Sequence, residues 1–407
     1  MTEARIILTI EKLAGLGDGM GVYQERKVYV PYTFPGDKVA VRIVKDTKDA
    51  LYGTLEEILS PGKGRMAPEC RHFSACGGCS LQHIDKQGYA DFKQEMARAA
   101  VRKAGYEPDL TAPMIPFPAA SRRRAELKVK DGKLGYFAQN SHHLVDIEEC
   151  KVLEPALFAL IKHLKGQLHL VPGVTDIQIN GVDEGYDVLL DSKTGQGGDI
   201  AIHPSVRRLS MHHDDRMRTL FQSGPVTVTF DKIMVEVPPA AFLQASRAAQ
   251  SRMTALVMQA VGDAETVLDL FAGIGTYGFP LSARAEVTAI EGSRPMVTAM
   301  REAAKYHQLG KRFTADMRDL FKNPLSANVL SPFDAVIINP PRSGAKAQCE
   351  QLALSKVSKI IMVSCNPATF SRDARLLKEG GYDLKRAIPI DQFVYSSHLE
   401  LIAEFTI

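Results

Sequence analysis

The pattern of apolar and polar positions divides the chain into three regions. Up to about residue 60, residues 6–10, 27–30 and 38–44 are short apolar or alternating segments that predict strands. Glycines at positions 15, 17, 19 and 21 and the Pro-Gly pair at 35–36 mark turns between these segments. Short strands at this spacing predict a small β-barrel over residues 1–60.

The middle region, residues 61–240, has mixed character. Residues 94–104 have helical spacing, whereas residues 188–190 and 226–228 predict strands, so we expect a mixed α+β domain of undetermined topology. From about residue 241 to residue 407, apolar strands alternate with helical segments. That alternation is typical of a parallel α/β sheet and predicts a Rossmann-like domain.

Unusual polar motifs follow the predicted strands of this last region. A glycine loop at 273–278 comes after the strand at 267–271, and Glu291 comes after the next strand. Two later strands end at residues 339–342, Asn-Pro-Pro-Arg, and at residues 364–367, Ser-Cys-Asn-Pro. Because ligands of parallel sheets bind at the carboxyl ends of the strands, these motifs predict one active site at that edge.

The glycine loop has the spacing G-x-G-x-x-G, which fits either a dinucleotide or S-adenosyl-L-methionine. In both kinds of site the glycines let the ligand approach the backbone, and an acid such as Glu291 binds the ribose hydroxyls. The rigid polar turn that begins at Asn339 favours the methyl donor, because it suits a methyl acceptor and has no evident use in hydride transfer. A chance glycine-rich turn is the alternative.

Cys365 is the most informative single residue. A thiol at a strand end, before a proline-stiffened turn, suits a covalent nucleophile. Carbon C5 of uracil is a poor nucleophile, and a thiolate that adds at C6 would place electron density on C5, so that C5 can attack a methyl sulfonium. A buried structural cysteine is the alternative, and Cys349, in a helical stretch, is interpreted in that way.

A second group of cysteines has the spacing of metal ligands. Cys70, Cys76 and Cys79 lie within one short segment, and zinc and an iron–sulfur cluster are the two possible occupants. His72 and His83 keep zinc open. Three clustered thiols and a distant fourth suit a cubane cluster, and Cys150 is the other cysteine before the α/β region.

Charge adds little by itself, because the formal net charge is only +3. Basic residues nevertheless cluster at 122–124 and at 207–208, which is compatible with an RNA surface or with solvated faces. We see no secretory signal and no run of ~18 apolar residues that could span a membrane. We therefore expect a cytoplasmic monomer.

These motifs together resemble two known families. Residues 18–22, 30–31 and 35–39 resemble the TRAM module, an RNA-binding barrel. Nearly the whole chain resembles the bacterial RNA 5-methyluridine methyltransferases, in the iron–sulfur subgroup that acts on large-subunit (23S) ribosomal RNA. The motifs are residues 76–83 (Cys-Gly-Gly-Cys-Ser-Leu-Gln-His), 242–244 (Phe-Leu-Gln), 364–373 (Ser-Cys-Asn-Pro-Ala-Thr-Phe-Ser-Arg-Asp) and 398–400 (His-Leu-Glu).

The resemblance implies a class I methyltransferase domain and roles for individual residues. It implies Cys365 as the nucleophile and Glu400 as the base that removes the C5 proton. It implies ligands to a 4Fe–4S cluster at Cys70, Cys76, Cys79 and Cys150. It implies contacts to S-adenosyl-L-methionine by Gln244, Phe271, Gly273, Thr276, Glu291, Asp316 and Asn339.

The chain departs from the family's pattern at two of these positions. Asn339 replaces the family's usual aspartate, and an amide adds no charge near the sulfonium. Thr276 stands where a relative often has asparagine, which is a milder change.

Three alternatives to a 23S rRNA enzyme stay open. They are a transfer RNA uracil-5-methyltransferase, a non-catalytic RNA-binding or ribosome-assembly protein with the same fold, and an enzyme that makes 5-methylcytidine. The last usually carries Pro-Cys where this chain has Ser364-Cys365. The cysteine cluster and the barrel both favour ribosomal over transfer RNA, because bacterial relatives that act on transfer RNA commonly lack both.

Overall fold

The computed structural model describes residues 5–407, and its first strands form a closed barrel in the order β1-β2-β3-β5-β4. Residues 1–4 of the predicted barrel region lie outside the described residues. In the first strand Ile6, Leu8 and Ile10 are buried and the residues between them are exposed, so alternation creates the barrel core. The predicted barrel is confirmed. Its strands are β1 (Arg5–Leu13), β2 (Gly19–Tyr23), β3 (Arg26–Val30), β4 (Lys38–Asp46) and β5 (Ala50–Ser60).

The middle region forms a mixed sheet in the order β13-β12-β11-β10-β7-β8-β9, with a helix packed on its apolar face. A separate two-stranded ribbon, β14-β15, follows it. The elements are α1 (Lys86–Ala104), β6 (Ile115–Pro116), β7 (Arg124–Lys130), β8 (Lys133–Phe137), β9 (Leu144–Asp146), α2 (Pro155–Lys165), β10 (Val174–Val182), β11 (Gly185–Ser192), β12 (Val206–His213), β13 (Arg216–Gln222), β14 (Thr227–Phe230) and β15 (Ile233–Glu236).

The C-terminal region forms a sheet in the order β18-β17-β16-β19-β20-β22-β21-β6, with helices on both faces. β16 to β20 pair in parallel and β22 lies antiparallel to β20. The elements are α3 (Arg247–Val261), β16 (Thr266–Leu270), α4 (Gly278–Leu281), β17 (Glu286–Glu291), α5 (Arg294–Tyr306), β18 (Phe313–Met317), α6 (Ala327–Leu330), β19 (Ala335–Ile338), α7 (Lys346–Ser355), β20 (Lys359–Ser364), α8 (Pro367–Glu379), β21 (Asp383–Asp391) and β22 (Glu400–Thr406).

The parallel strands explain the apolar runs in the sequence. Every residue of β19 is buried, because helices cover both faces of the sheet. One core packs α3, α4 and α5 against the sheet, and a second packs α1, α7 and α8 against its other face. The parallel α/β architecture that the alternation predicted is confirmed.

Helix α1 belongs in space to the C-terminal sheet, although it lies in the middle region of the sequence. It begins at the N-cap Asp85, whose side chain accepts a hydrogen bond from the Gly88 N–H, and it ends at Gly105 in the left-handed region. Its small residues Ala97 and Ala100 pack in the same core as α8, and β6 extends the sheet beside β21. In the described part of the chain, no helix combines the length and apolar character that crossing a bilayer requires.

Candidate active site

Strand register places Cys365 opposite Glu400. Ser364 of β20 pairs with Leu401 of β22, and the two strands run antiparallel. Cys365 directly follows Ser364 and Glu400 directly precedes Leu401, so the same register brings Cys365 and Glu400 side by side just beyond the end of β20. Two residues that are 35 positions apart in sequence thus meet at the carboxyl edge of the parallel strands, where Glu291 and Asn339 also lie.

Cys365 stands between the end of β20 and the start of α8. The Asn366 side chain caps α8 by accepting a hydrogen bond from the Ala368 N–H at 3.0 Å, and it donates to the Arg342 carbonyl at 3.0 Å. Burial raises the pKa of the Cys365 thiol to about 11, and the Glu400 carboxylate adds to that rise, whereas the Arg342 guanidinium opposes it. The position at a helix N-terminus also favours a thiolate.

Glu400 is held in a buried network of amides. The Gln392 side-chain amide donates to Glu400 Oε1 at 2.9 Å and to Gln244 Oε1 at 2.8 Å, and all three residues are buried. Burial raises the pKa of Glu400 to about 7, and the hydrogen bond from Gln392 opposes the rise. A carboxyl group whose pKa lies near neutrality is suited to proton transfer. The sequence did not single out Gln392.

The glycine loop and Glu291 form a second part of the edge. Gly273 has φ of +59°, and a Cβ there would meet no atom within 4 Å, so the loop leaves open space above it. The N–H groups of Gly273 and Ser293 donate to the two oxygens of Glu291 at 3.0 and 2.8 Å. The loop backbone therefore fixes the carboxylate at the end of β17.

The remaining expected cofactor contacts surround this loop. Phe271 has φ of +60° and its ring lies 5.3 Å from that of Phe321. Asp316 is exposed and pairs with Arg301 at 3.1 Å. Thr276 and Asn339 are half-buried.

Asp269, beneath the loop, is a further residue that sequence reasoning missed. Burial raises its pKa to about 7, and the nearby Gly278 N–H opposes the rise. Within residues 5–407, neither of its oxygens has a hydrogen-bond partner of ordinary geometry. An open glycine cradle, a fixed carboxylate at the end of the second strand and buried oxygens without partners all fit S-adenosyl-L-methionine.

A buried ion pair holds residues 392–399, here called loop 392–399, which precedes Glu400. The Lys93 ammonium of α1 donates to Asp391 Oδ1 at 2.8 Å and to the His398 carbonyl, and the Tyr89 hydroxyl donates to Asp391 Oδ2 at 2.6 Å. Lys93 and Asp391 are both at most 2% exposed. The Tyr395 carbonyl in the loop accepts hydrogen bonds from residues 80 and 81, which follow the clustered cysteines.

Cys70, Cys76, Cys79 and Cys150 line one cavity of about 240 Å³, here called the cysteine pocket. Burial raises the pKa of three of its thiols, that of Cys79 to about 12, and the neighbouring sulfurs add to each rise. Within residues 5–407, however, no group of three His, Cys, Asp or Glu side chains is close enough to hold a metal ion. His83 is buried against the Thr33 carbonyl at 3.2 Å, so it is directed away from a zinc site.

The predicted basic clusters are only partly at the surface. Arg123 is buried, and its guanidinium donates to the Gln244 carbonyl and to Gln250 Oε1. Arg208 is buried in a two-bond pair with Asp187 at 2.8 Å. The interpretation of these two arginines as part of an RNA surface is therefore wrong, because a run of cations in sequence does not reveal which members have a carboxylate or carbonyl in the core.

Comparison with known proteins decides the family. The tRNA (uracil(54)-C(5))-methyltransferase TRAM domain matches residues 6–61, and the tRNA (uracil-5-)-methyltransferase family matches residues 222–403. The chain is 32% identical to the 23S rRNA (uracil(1939)-C(5))-methyltransferase RlmD of Halomonas elongata, over 98% of this chain and 89% of that protein. The chain belongs to the RNA uracil-5-methyltransferase family. The expected S-adenosyl-L-methionine-dependent methylation of uridine C5 in RNA is confirmed at this level.

Two further matches extend over the full length. An uncharacterized RNA methyltransferase of Caulobacter vibrioides is 36% identical over 98% of this chain and 99% of that protein. The fold matches the Pyrococcus abyssi tRNA (uracil-54, C5)-methyltransferase in complex with S-adenosyl-L-homocysteine, with a TM-score of 0.79, 22% identity, and 98% and 99% of the two chains covered. The predicted three-part methyltransferase fold is confirmed. The chain is therefore an RNA methyltransferase and not a non-catalytic protein, and its family is named for uracil as the methylated base.

The TRAM match also removes one sequence argument for ribosomal RNA as the substrate. The barrel was expected to favour ribosomal over transfer RNA, but the TRAM domain that matches is that of a tRNA-modifying enzyme. The barrel therefore does not distinguish the two substrates.

Proposed function

We propose that this RNA uracil-5-methyltransferase acts on 23S ribosomal RNA through a covalent intermediate on Cys365, which Glu400 resolves. The observation that carries the proposal is the register of β20 and β22: Ser364 pairs with Leu401, so Cys365 and Glu400 are neighbours at the edge where the glycine loop and Glu291 lie. A nucleophile and a base must both reach one uracil ring. Adjacent positions on neighbouring strands meet that requirement.

The proposed reaction balances with these two side chains. The Cys365 thiolate adds to C6 of uracil, and the C5=C6 electrons move toward O4 to form an enolate. S-adenosyl-L-methionine would supply the methyl group as an electrophile: the C5–methyl bond forms, the methyl–sulfur bond breaks, and its electron pair stays on the sulfur of the departing S-adenosyl-L-homocysteine. Glu400 then takes the C5 proton, the C5=C6 bond reforms and the thiolate leaves. Each turnover therefore regenerates the thiolate and releases one proton.

Arg342 supports the thiolate in this scheme. Its guanidinium lowers the pKa of Cys365 against the effect of burial, and its backbone carbonyl accepts hydrogen bonds from Asn366 and Thr369 in the turn that follows the thiol. Gln392 favours the ionised form of Glu400 by donating to it, because a hydrogen bond to a carboxylate stabilises its charged form.

We also propose that the cysteine pocket holds a 4Fe–4S cluster through Cys70, Cys76, Cys79 and Cys150. Four thiols around one cavity match the ligand chemistry of such clusters, whereas His83 is engaged elsewhere. Anaerobically purified protein should be brown and contain about four irons per chain. Stoichiometric zinc without iron would contradict the assignment. None of the methyl-transfer steps uses this group.

The choice of 23S over transfer RNA is supported by the Halomonas relative and by the cysteine pocket, whereas transfer RNA is the second candidate because the family and TRAM matches carry that name. The test is mass-spectrometric mapping of 5-methyluridine in both RNAs, with and without the gene. Loss of one 5-methyluridine from 23S RNA alone is expected. Loss from transfer RNA alone would overturn the choice of substrate and leave the chemistry intact.

A further inference from the structure

A groove of about 610 Å³ runs from Cys365 to the outer wall of the barrel. The start of α8 and the thiol line one end, α1 lines the floor through Met96, Ala99 and Lys103, and Tyr29 and Tyr52 line the barrel wall. Its volume lies within the range of about 300–1,000 Å³ that pockets for organic ligands occupy. The groove therefore extends well beyond the space that one uracil at Cys365 would fill.

The two tyrosines form a paired aromatic surface, here called the tyrosine platform. Tyr29 of β3 and Tyr52 of β5 are direct partners in register, so both rings project from the same outer face of the barrel. Their centroids lie 5.5 Å apart with an interplanar angle of 27°. Tyr52 is 40% exposed, whereas the preceding residues, Val28 and Leu51, are buried in the barrel core. The barrel core is thus complete without the two rings.

Cations lie around the platform. The Lys45 ammonium is 5.5 Å from the centre of the Tyr52 ring, and Lys103 and Arg342 line the same groove as the platform and the thiol. Asp18 is the acid among the described residues of the lining, and it lies on the barrel side. A positively charged groove with aromatic rings in its wall is the kind of surface that binds single-stranded RNA, with bases on the rings and phosphates beside the cations.

The reaction itself leaves bases without their stacking partners. An enzyme that modifies a base must take that base out of its stack, and the neighbouring nucleotides lose stacking at the same time. We propose that the tyrosine platform stacks against the base of a nucleotide that neighbours the target uridine in the RNA strand. This inference rests on the proposed reaction at Cys365, because that reaction puts the target uridine at the thiol end of the groove and its neighbour toward the platform. A nucleic acid is favoured over a protein partner because the groove is continuous with Cys365 and lined by cations.

The test uses the full-length protein and synthetic RNAs that carry the uridine identified by mapping. Tyr52→Leu and Tyr29→Leu remove one ring each, Tyr52→Phe and Tyr52→Trp keep a ring, and Tyr306→Leu removes a 70% exposed tyrosine on α5 as a control. We expect kcat/KM for RNA to fall about 5- to 150-fold in the leucine variants, the range for loss of one stacked base. The phenylalanine, tryptophan and control variants should stay within about twofold of the parent protein.

The decisive step is a set of RNAs with a single abasic site at each position within three nucleotides of the target. On one of these RNAs, kcat/KM of the parent protein should fall to about the value of Tyr52→Leu. The base that stacks on Tyr52 is missing from that RNA, so removal of the ring as well costs nothing further. An equal loss in Tyr52→Leu on every abasic RNA, or unchanged activity on intact RNA, would overturn the platform.

A misfolded barrel would lower activity on all RNAs equally, and rescue by Tyr52→Trp excludes it. If the parent protein methylates no RNA, the proposed function fails with the platform; if it methylates RNA without this coupling, only the platform fails.

Discussion

Cys365 and the four cysteines of the cysteine pocket lie on two sides of loop 392–399, and they differ in what surrounds the sulfur. Burial raises the pKa of both kinds of thiol, to about 11 for Cys365 and to about 12 for Cys79. Cys365 has the Arg342 guanidinium and the start of α8 beside it. The pocket thiols lie close to one another, so each thiolate would raise the pKa of the next, and the Arg122 guanidinium opposes this rise at Cys150.

The difference teaches that burial alone does not define the role of a cysteine. A thiolate needs a compensating positive charge: Cys365 is a single thiol with the Arg342 guanidinium beside it, whereas in the cysteine pocket four thiols share the cations of the lining, Arg122, Lys151 and Arg342, so ionisation of all four would call for a metal as well. The two cavities nevertheless share Arg342 and His398 in their linings. A disturbance of loop 392–399 should therefore affect both sites.

The largest expected effect separates Cys365 from a merely buried thiol. Cys365→Ala should lower methylation of RNA by at least about a thousandfold, because it removes the covalent nucleophile. Cys349→Ala, in the core beside α7, should lower the free energy of unfolding by about 1–2 kcal/mol and leave the rate unchanged. Methyl transfer to RNA and urea unfolding measure the two quantities. Substantial activity in Cys365→Ala would contradict its role.

The next effect tests what holds loop 392–399. Lys93→Met should lower the free energy of unfolding by about 3–5 kcal/mol, because it leaves Asp391 buried without its cation. Lys86→Met, at an exposed position of the same helix, should change it by less than about 0.5 kcal/mol. Urea unfolding of both variants makes the comparison. Equal stabilities would mean that the buried pair does not anchor the loop.

The third effect concerns the cost of keeping Glu400 buried. The pKa of Glu400 is raised from 4.5 to about 7 in the folded protein. At a pH between these two values, the folded state therefore keeps a proton that the unfolded state has released. Stability from this group is therefore present at low pH and lost as the pH rises through about 7. The free energy of unfolding of Glu400→Gln should exceed that of the parent protein by up to about 3 kcal/mol at pH ~8. This difference should vanish toward pH ~4.5. A constant difference across this range would contradict the raised pKa.

The smallest effect tests Gln392. Gln392→Leu removes the hydrogen bond that lowers the pKa of Glu400, so a larger fraction of the base should be protonated at neutral pH. Single-turnover release of methylated RNA should slow by about tenfold near pH 7 and recover at higher pH. Gln94→Leu, which also breaks two hydrogen bonds but none to Glu400, should leave the pH profile unchanged. A uniform slowing of Gln392→Leu at every pH would assign it a purely structural role.

The sequence predicted the residues at the ends of parallel strands, because such strands are apolar runs and a polar motif after each is easy to recognise. The position of Cys365, Glu291 and the glycine loop followed from that rule. Gln392 could not be predicted, since its partners Gln244 and Glu400 meet only when distant segments fold together.

The sequence also misjudged charged residues. No prediction was made for Lys93, which lies just outside the stretch of helical spacing; a lysine is ordinarily exposed, yet this one is buried against Asp391. Arg123 was interpreted as part of a basic surface, and it is buried against the Gln244 carbonyl. In both cases the compensating partner comes from a region more than 100 residues away, so no local pattern reveals it.

The most direct test of the central claim is the covalent RNA adduct of Glu400→Gln. Thiolate addition and methyl transfer can proceed in this variant, but the C5 proton stays and elimination stalls, so a denaturation-resistant RNA–protein complex with the new methyl group should accumulate. The double variant with Cys365→Ala should form none. Normal turnover by Glu400→Gln would make His398 or Asp373 the next candidate base. Absence of any adduct in every variant, including with 5-fluorouridine RNA, would contradict the covalent mechanism.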